Sequence, residues 1–275
     1  IRGKLSSNAQ IRILGNTIMS PTTDKAIADF TAQFPNTKVV MYDPVSSSAL
    51  LQANEQSFGQ FAVPDYHFDK ARVIVSFDAD FLGTWISPVE YAADYIKNRK
   101  IRDVSKADMS RHYQVENHMS LTGSNADNRI LVKPSEQGAA IVALYNAIAA
   151  ERGGQRVSGP SLPDTTGEKI QRVARDLLNN AGQSLVVSGS NNVGEQVLVN
   201  AINAMLDNYG RTLDFTHASQ QRRGNDTELQ ALIREMNNGG VDAIFIMDGA
   251  NPAYDIPNVD EFRSGMEQVA LKVSF

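Results

Sequence analysis

Short apolar runs alternate with longer amphipathic stretches along almost the whole chain. The runs at 11–14, 38–42, 72–77, 185–188 and 243–247 are each four to six residues long, and Gly or Asp follows each of them. That is the profile of strands buried on both faces, as in a parallel sheet. The stretches between them carry helix signals. Ser20 is placed to cap a helix that has Pro21 at its first position and Ile27, Phe30 and Phe34 as its apolar stripe. A helix is predicted over 46–58 with Ala49, Leu50 and Ala53 inward, followed by a loop over 60–66 around Pro64. Ser87-Pro88-Val89-Glu90 reads as a capping box opening a helix through Lys97. Extended segments are predicted at 109–115 and 130–132, with a polar loop over 120–128 between them. Ser135 can cap an apolar helix over 137–150, and the Gly/Pro-rich stretch 153–163 reads as a surface loop, open to motion. Further helices are predicted over 167–180, opened by Asp164 and stopped by Gly182, and over 193–206. A short strand follows at 213–215. Asn225 with Glu228 opens a helix through Asn238, with Leu229, Leu232, Ile233 and Met236 on one face. A helix near 261–266 and a strand over 268–275 complete the chain.

Helices that serve as crossovers between buried strands give an α/β fold class: two Rossmann-like lobes with mainly parallel sheets. A weak internal repeat supports two units. RILGNTIMSPTTDKAI resembles LVVSGSNNVGEQVLVNAI, and RVIVSFDADF resembles AIFIMDGANP, each pair about 170 residues apart. The expected division is a first lobe over 1–125 and a second over 126–275, with the boundary near 122–127 or later, in the Gly/Pro loop.

Composition narrows the classes without choosing a reaction. Hydrophobic content of 42% and charged content of 21% are ordinary for a globular protein. A net charge of −5 and a pI near 5.4 argue against nucleic acid or an anionic membrane surface as partner. No apolar run approaches the roughly 20 residues of a membrane span, so direct membrane insertion is not expected. A start at Ile1 rather than Met, without an apolar leader, reads as a processed product or an excised piece. Cysteine is absent, which removes disulfides, thiolate zinc sites, cysteine-held iron–sulfur clusters and thiol nucleophiles.

Ligands of open α/β sheets bind beyond the carboxyl ends of the strands. The run 243–247 leads into Gly249-Ala250-Asn251-Pro252, so Gly249, Asn251 and Pro252 are candidate ligand contacts; the plainer reading is a strand-ending turn. Gly189, Ser190 and Asn191 open GSNNVG, which is not a G-x-G-x-x-G fingerprint but can present N–H groups to an anion at a helix N-terminus, or serve only as a connector. Asp78 and Asp80, at another strand end, fit either Mg²⁺ and acid–base work or turn chemistry. His67, His112, His118 and His217 match no zinc spacing. Arg222-Arg223-Gly224 is a small basic spot, and Trp85 with Phe81 and Tyr91 reads as core. No Ser–His–Asp order or G-x-S-x-G elbow is present. No catalytic residue and no metal ligand is assigned.

These stretches together resemble the molybdopterin oxidoreductases. VVSGSNNVGEQVLVNAINAMLDNYGRTLDF resembles their strand–loop–helix, and MDGANPAYDIP resembles their G-x-NP-x-x-x-x-P segment. FDADFLGTWISPVEYAADY followed by LTGSNADNRILVKPSEQGAAIVALYNAI is most similar to the molybdopterin-oxidoreductase-like iron–sulfur subunit of bacterial alternative complex III, a quinol-oxidising respiratory complex. The resemblance covers residues 11–275 and implies lobes like the middle domains of formate dehydrogenase and DMSO reductase. It departs at two places. Asp78-Ala79-Asp80-Phe81 stands where relatives usually have a GANP-like turn, and Lys133-Pro134-Ser135-Glu136-Gln137 stands where they hold a guanosine. The resemblance therefore implies a scaffold part of an electron-transport oxidoreductase that has lost its molybdenum cofactor. On that reading Gly189, Ser190, Asn191, Gly249, Asn251 and Pro252 are vestigial cofactor contacts. It further implies packing against a cluster-bearing half of the same parent chain and other respiratory-complex subunits, on the periplasmic side of the inner membrane. Iron–sulfur clusters are expected only outside this stretch. Two alternatives stay open: a domain that still binds molybdopterin guanine dinucleotide, and a periplasmic small-ligand-binding protein.

Overall fold

The computed structural model describes residues 8–101, 103–247 and 249–275. The strands are β1 (Ile11–Gly15), β2 (Thr37–Met41), β3 (Val63–Tyr66), β4 (Val73–Phe77), β5 (Arg111–Glu116), β6 (Asn128–Leu131), β7 (Ser184–Ser188), β8 (Leu213–Ser219), β9 (Ala243–Ile246) and β10 (Leu271–Ser274). The helices are α1 (Pro21–Gln33), α2 (Ser48–Phe58), α3 (Pro88–Lys97), α4 (Leu121–Ser124), α5 (Gln137–Arg152), α6 (Asp164–Asn179), α7 (Val193–Met205), α8 (Asp226–Asn237), α9 (Pro252–Asp255) and α10 (Val259–Gln268). Caps form where short polar side chains precede apolar periodicity. Ser20 accepts from the Thr23 N–H, Asn192 from Glu195, and Asn225 from both Thr227 and Glu228. Among the described residues no helix is long and apolar enough to cross a membrane.

The α/β class and the mainly parallel pairing stand as expected. One four-stranded sheet has the order β10-β9-β1-β2, and another β6-β5-β4-β7; every pairing in both is parallel. A two-stranded antiparallel ribbon joins β3 to β8. The chain divides into two compact units. One comprises residues up to Ser48 together with Gln220–Phe275, and the other is Ala49–Ser219.

The boundary expected at 125/126 falls between β5 and β6, which are hydrogen-bonded neighbours, so it cuts a sheet. The repeat has a different meaning from the one expected. Its four members are β1, β4, β7 and β9, and they sit side by side as β9 with β1 and as β4 with β7. Each of these pairs therefore joins one strand from each half of the chain. A repeat in sequence order does not require that repeats pair in sequence order.

Period-two alternation puts opposite residues of each strand into different cores. In the larger unit Val73, Val75 and Phe77 of β4 pack with α5, α6 and α7, while Ile74 joins the aromatic cluster of Phe68, Phe81, Tyr91 and Tyr95. In the smaller unit Leu14, Val40 and Ile244 pack under α8 and α10. Ile11, Ile13 and Phe245 face α1, which contributes no buried residue of its own.

Three local expectations change. Residues 63–66 form a strand despite Pro64, because this short ribbon is an edge where a missing N–H is tolerated. The polar stretch 120–128 contains α4, whose cap is Ser120 accepting from Gly123 N–H at 2.9 Å. The helix at Pro88 is present, but Ser87 makes no capping hydrogen bond.

β5 carries an unusual interior. His112, Gln114 and Glu116 alternate with Tyr113 and Val115, and all five are buried. Tyr95 Oη lies 3.1 Å from His112 Nδ1, and His112 Nε2 lies 3.3 Å from Gln114 Oε1. Burial pushes the His112 imidazole down to about 4. The unfolded chain takes up that proton near the ordinary imidazole value of about 6.5, so it binds more protons than the folded chain between those values. This contribution is present above pH ~6.5 and is lost as pH falls toward 4, on the order of 2 kcal/mol at pH 4.5. Urea unfolding at pH 7.5 and 4.5 checks it: His112→Gln should lose about 2 kcal/mol less on acidification than the parent. Equal acid losses in both proteins would show that His112 is not a source of the acid sensitivity.

Candidate functional site

In both parallel sheets the chain leaves adjacent strands toward opposite faces, and the carboxyl ends part at that point. Such a switch point is where open α/β folds take ligands. The larger unit has its switch between β4 and β7, since β4 leads to α3 in one core and β7 to α7 in the other. The smaller unit has its switch between β9 and β1. Sequence reasoning placed Asp78, Gly189, Ser190, Asn191, Gly249, Asn251 and Pro252 at strand ends, and these crests are where they stand.

At the β4/β7 crest the two chain turns touch. Gly189 N–H donates to Phe77 O at 2.9 Å, and a β-carbon on Gly189 would lie 2.5 Å from Asp78 O. Only glycine fits that approach. Asp78 has φ +54°, a left-handed backbone that costs a non-glycine residue about 1 kcal/mol. Asn117 Nδ2 donates to Asp78 Oδ2 at 2.9 Å, and His118 Nδ1 lies 3.8 Å from Oδ1, which is buried without a hydrogen-bond partner. Burial pushes the Asp78 carboxyl up and the Glu116 charge adds to this, while His118 and Asn117 pull it down.

Asp80 has a different task. Its carboxylate accepts from Thr122 N at 2.9 Å and Thr122 Oγ1 at 2.8 Å, and its carbonyl accepts from Gly83, Thr84 and Trp85. It ties the turn after β4 to α4. Glu116, fully buried one strand over, pairs with Arg129 and accepts from Ser120 Oγ at 2.7 Å. Burial opposes its charge, but Arg129 and Ser120 outweigh that and hold it below the usual carboxylate range. A β-carbon on Gly123 would lie 1.9 Å from Glu116 Oε1, so a larger residue there would have to push the Glu116 carboxylate off its Arg129 and Ser120 partners.

The proposed anion cradle at Gly189–Gly194 is filled from within. Ser190 N donates to Ser188 Oγ, Asn192 N to Ser190 Oγ, and Glu195 N to Asn192 Oδ1. Ser190 Oγ donates to Glu195 Oε2 at 2.5 Å. A β-carbon on Gly138, in the first turn of α5, would lie 2.5 Å from Glu195 Oε1. The Glu195 carboxylate thus sits against the N-terminal turns of both α7 and α5, where an incoming anion would sit. Asn191 Oδ1 accepts from Ala49 N at 3.1 Å and so satisfies one orphan donor at the start of α2. Glu195 was missed in the sequence, although Asn192-x-x-Glu195 is a legible capping signal.

At the β9/β1 crest Gly249 is exposed with φ +84°, and Pro252 is buried at the first position of α9. Asp248 lies outside the described residues. Asn251 N donates to Asp255 Oδ2 at 3.3 Å, and its carbonyl accepts from Tyr254 and Asp255. Tyr42 Oη donates to the same Asp255 oxygen at 2.9 Å. Asp43 accepts from Thr17 N, Thr17 Oγ1 and Gly224 N at 3.1, 2.7 and 3.1 Å. Arg223 is fastened to Ile18 O and Asp24, so the basic spot is part of this crest rather than a free loop. Among the described residues no group of three or more His, Asp or Glu could hold a metal ion.

No family model matches the sequence, and no curated protein does. The fold is similar to that of a chain in the X-ray structure of the formyltransferase/hydrolase complex (FhcABCD) from Methylorubrum extorquens in complex with methylofuran. The TM-score is 0.55 at 12% identity, over 90% of this chain and 72% of that one. This finding corrects the expected membership in the molybdopterin oxidoreductases. It also corrects the expected role as an iron–sulfur-type subunit in quinol oxidation and respiratory electron transport. The physical reason is that strand–Gly–helix and Gly-Asn-Pro turns are what a doubly wound sheet produces wherever strands end. Such turns report the fold and do not carry a family.

The two acidic residues of the β4 turn should respond oppositely to substitution. Asp78→Gly relieves the left-handed backbone and removes a poorly satisfied carboxylate, so it should stabilise by about 1 kcal/mol. Asp80→Asn weakens two charge-assisted bonds and should destabilise by about 1–2 kcal/mol. Denaturant midpoints of the two variants check both signs. In a separate measurement, Glu195→Gln should cost about 1 kcal/mol, less at high salt, because it removes a charge from two helix N-termini. A salt-independent loss would assign Glu195 to packing alone.

Proposed function

We propose that this chain is a docking subunit of a multi-subunit enzyme assembly, with transfer or hydrolysis of one-carbon acyl groups as the chemistry of the whole assembly. The observation that carries the reading is the state of the two switch-point crests. The positions that an open α/β fold offers to a ligand are taken by the chain's own side chains: Glu195 and Asn191 at one, Asp43 and Asp255 at the other. A crest filled in this way costs a ligand the displacement of those bonds before any is gained. The likeness in fold to a chain from a formyltransferase/hydrolase complex supports both the assembly and its class of chemistry. On this reading the reacting groups belong to other subunits, and this chain contributes surface.

Reconstitution tests the reading. The purified chain, mixed with the formyltransferase and hydrolase subunits of such a complex from its own source, should enter a stoichiometric assembly by light scattering. Formyl transfer should appear with the full set and be absent from the chain alone. A chain that stays separate from those subunits at micromolar concentration would sink the proposal, and so would one that turns over formyl substrates unaided.

A further inference from the structure

We draw no further inference here: the strongest candidate, the apolar groove of about 180 Å³ between α1 and the β10-β9-β1-β2 sheet, lined by Ile13, Ile27, Phe30, Phe245, Met247 and Phe275, is an unpartnered face, and nothing in the structure shows what covers it.

Discussion

Where β4 and β7 end side by side, two backbones must part toward opposite faces of one sheet while still in contact. The approach of Gly189 to the Asp78 carbonyl is that constraint made visible. It forces glycine at one position and a left-handed backbone at the other. With the ends pinned, α7 brings Val199 and Ile202 onto the core of Val73, Val75 and Phe77, and the turn of Ala79 and Phe81 meets the aromatic cluster beneath α3. The polar groups around the crest follow from the same geometry. Backbone donors that the divergence leaves unpaired are met by Asp80, Asn192 and the hydroxyls of Ser188 and Ser190. Their satisfaction is obligatory in a partly desolvated place.

The strands and most helices were legible because their signals are local. A run such as 72–77 needs no knowledge of its neighbours to read as buried, and Ser20-Pro21 or Asn225-x-x-Glu228 declares a helix start by its own chemistry. Pairing was not legible. The repeat falls on β1, β4, β7 and β9, all of them strands, but which strand lies beside which is a non-local fact, and the lobe boundary drawn from chain order cuts between β5 and β6. The candidate site divided in the same way. Strand-end residues could be named from the alternation alone. Glu195 reaching Gly138 and Glu116 reaching Gly123 depend on how separate elements pack, and no spacing announces them. The family reading failed for a related reason, since turns dictated by the fold were read as marks of descent.

The smaller unit covers its sheet unevenly. One face lies under α8 and α10, and the other packs, among the described residues, against α1, whose Ile27 and Phe30 are half-buried. No residue of α1 is fully buried, because its apolar stripe is narrow and its remaining positions are short or polar.

The arrangement of the units also sets a timetable for synthesis. The larger unit is one unbroken stretch, Ala49–Ser219, and all its strands are made before β9. The smaller unit begins with β1 and β2, which pair with each other, yet the other edge of β1 finds its partner only at Ala243–Ile246. During translation at roughly 5–20 residues per second, that second edge of β1 waits about ten seconds or more for β9. The β1–β9 pairing closes the longest loop in its sheet, so its formation carries the largest chain-entropy cost of that sheet's pairings.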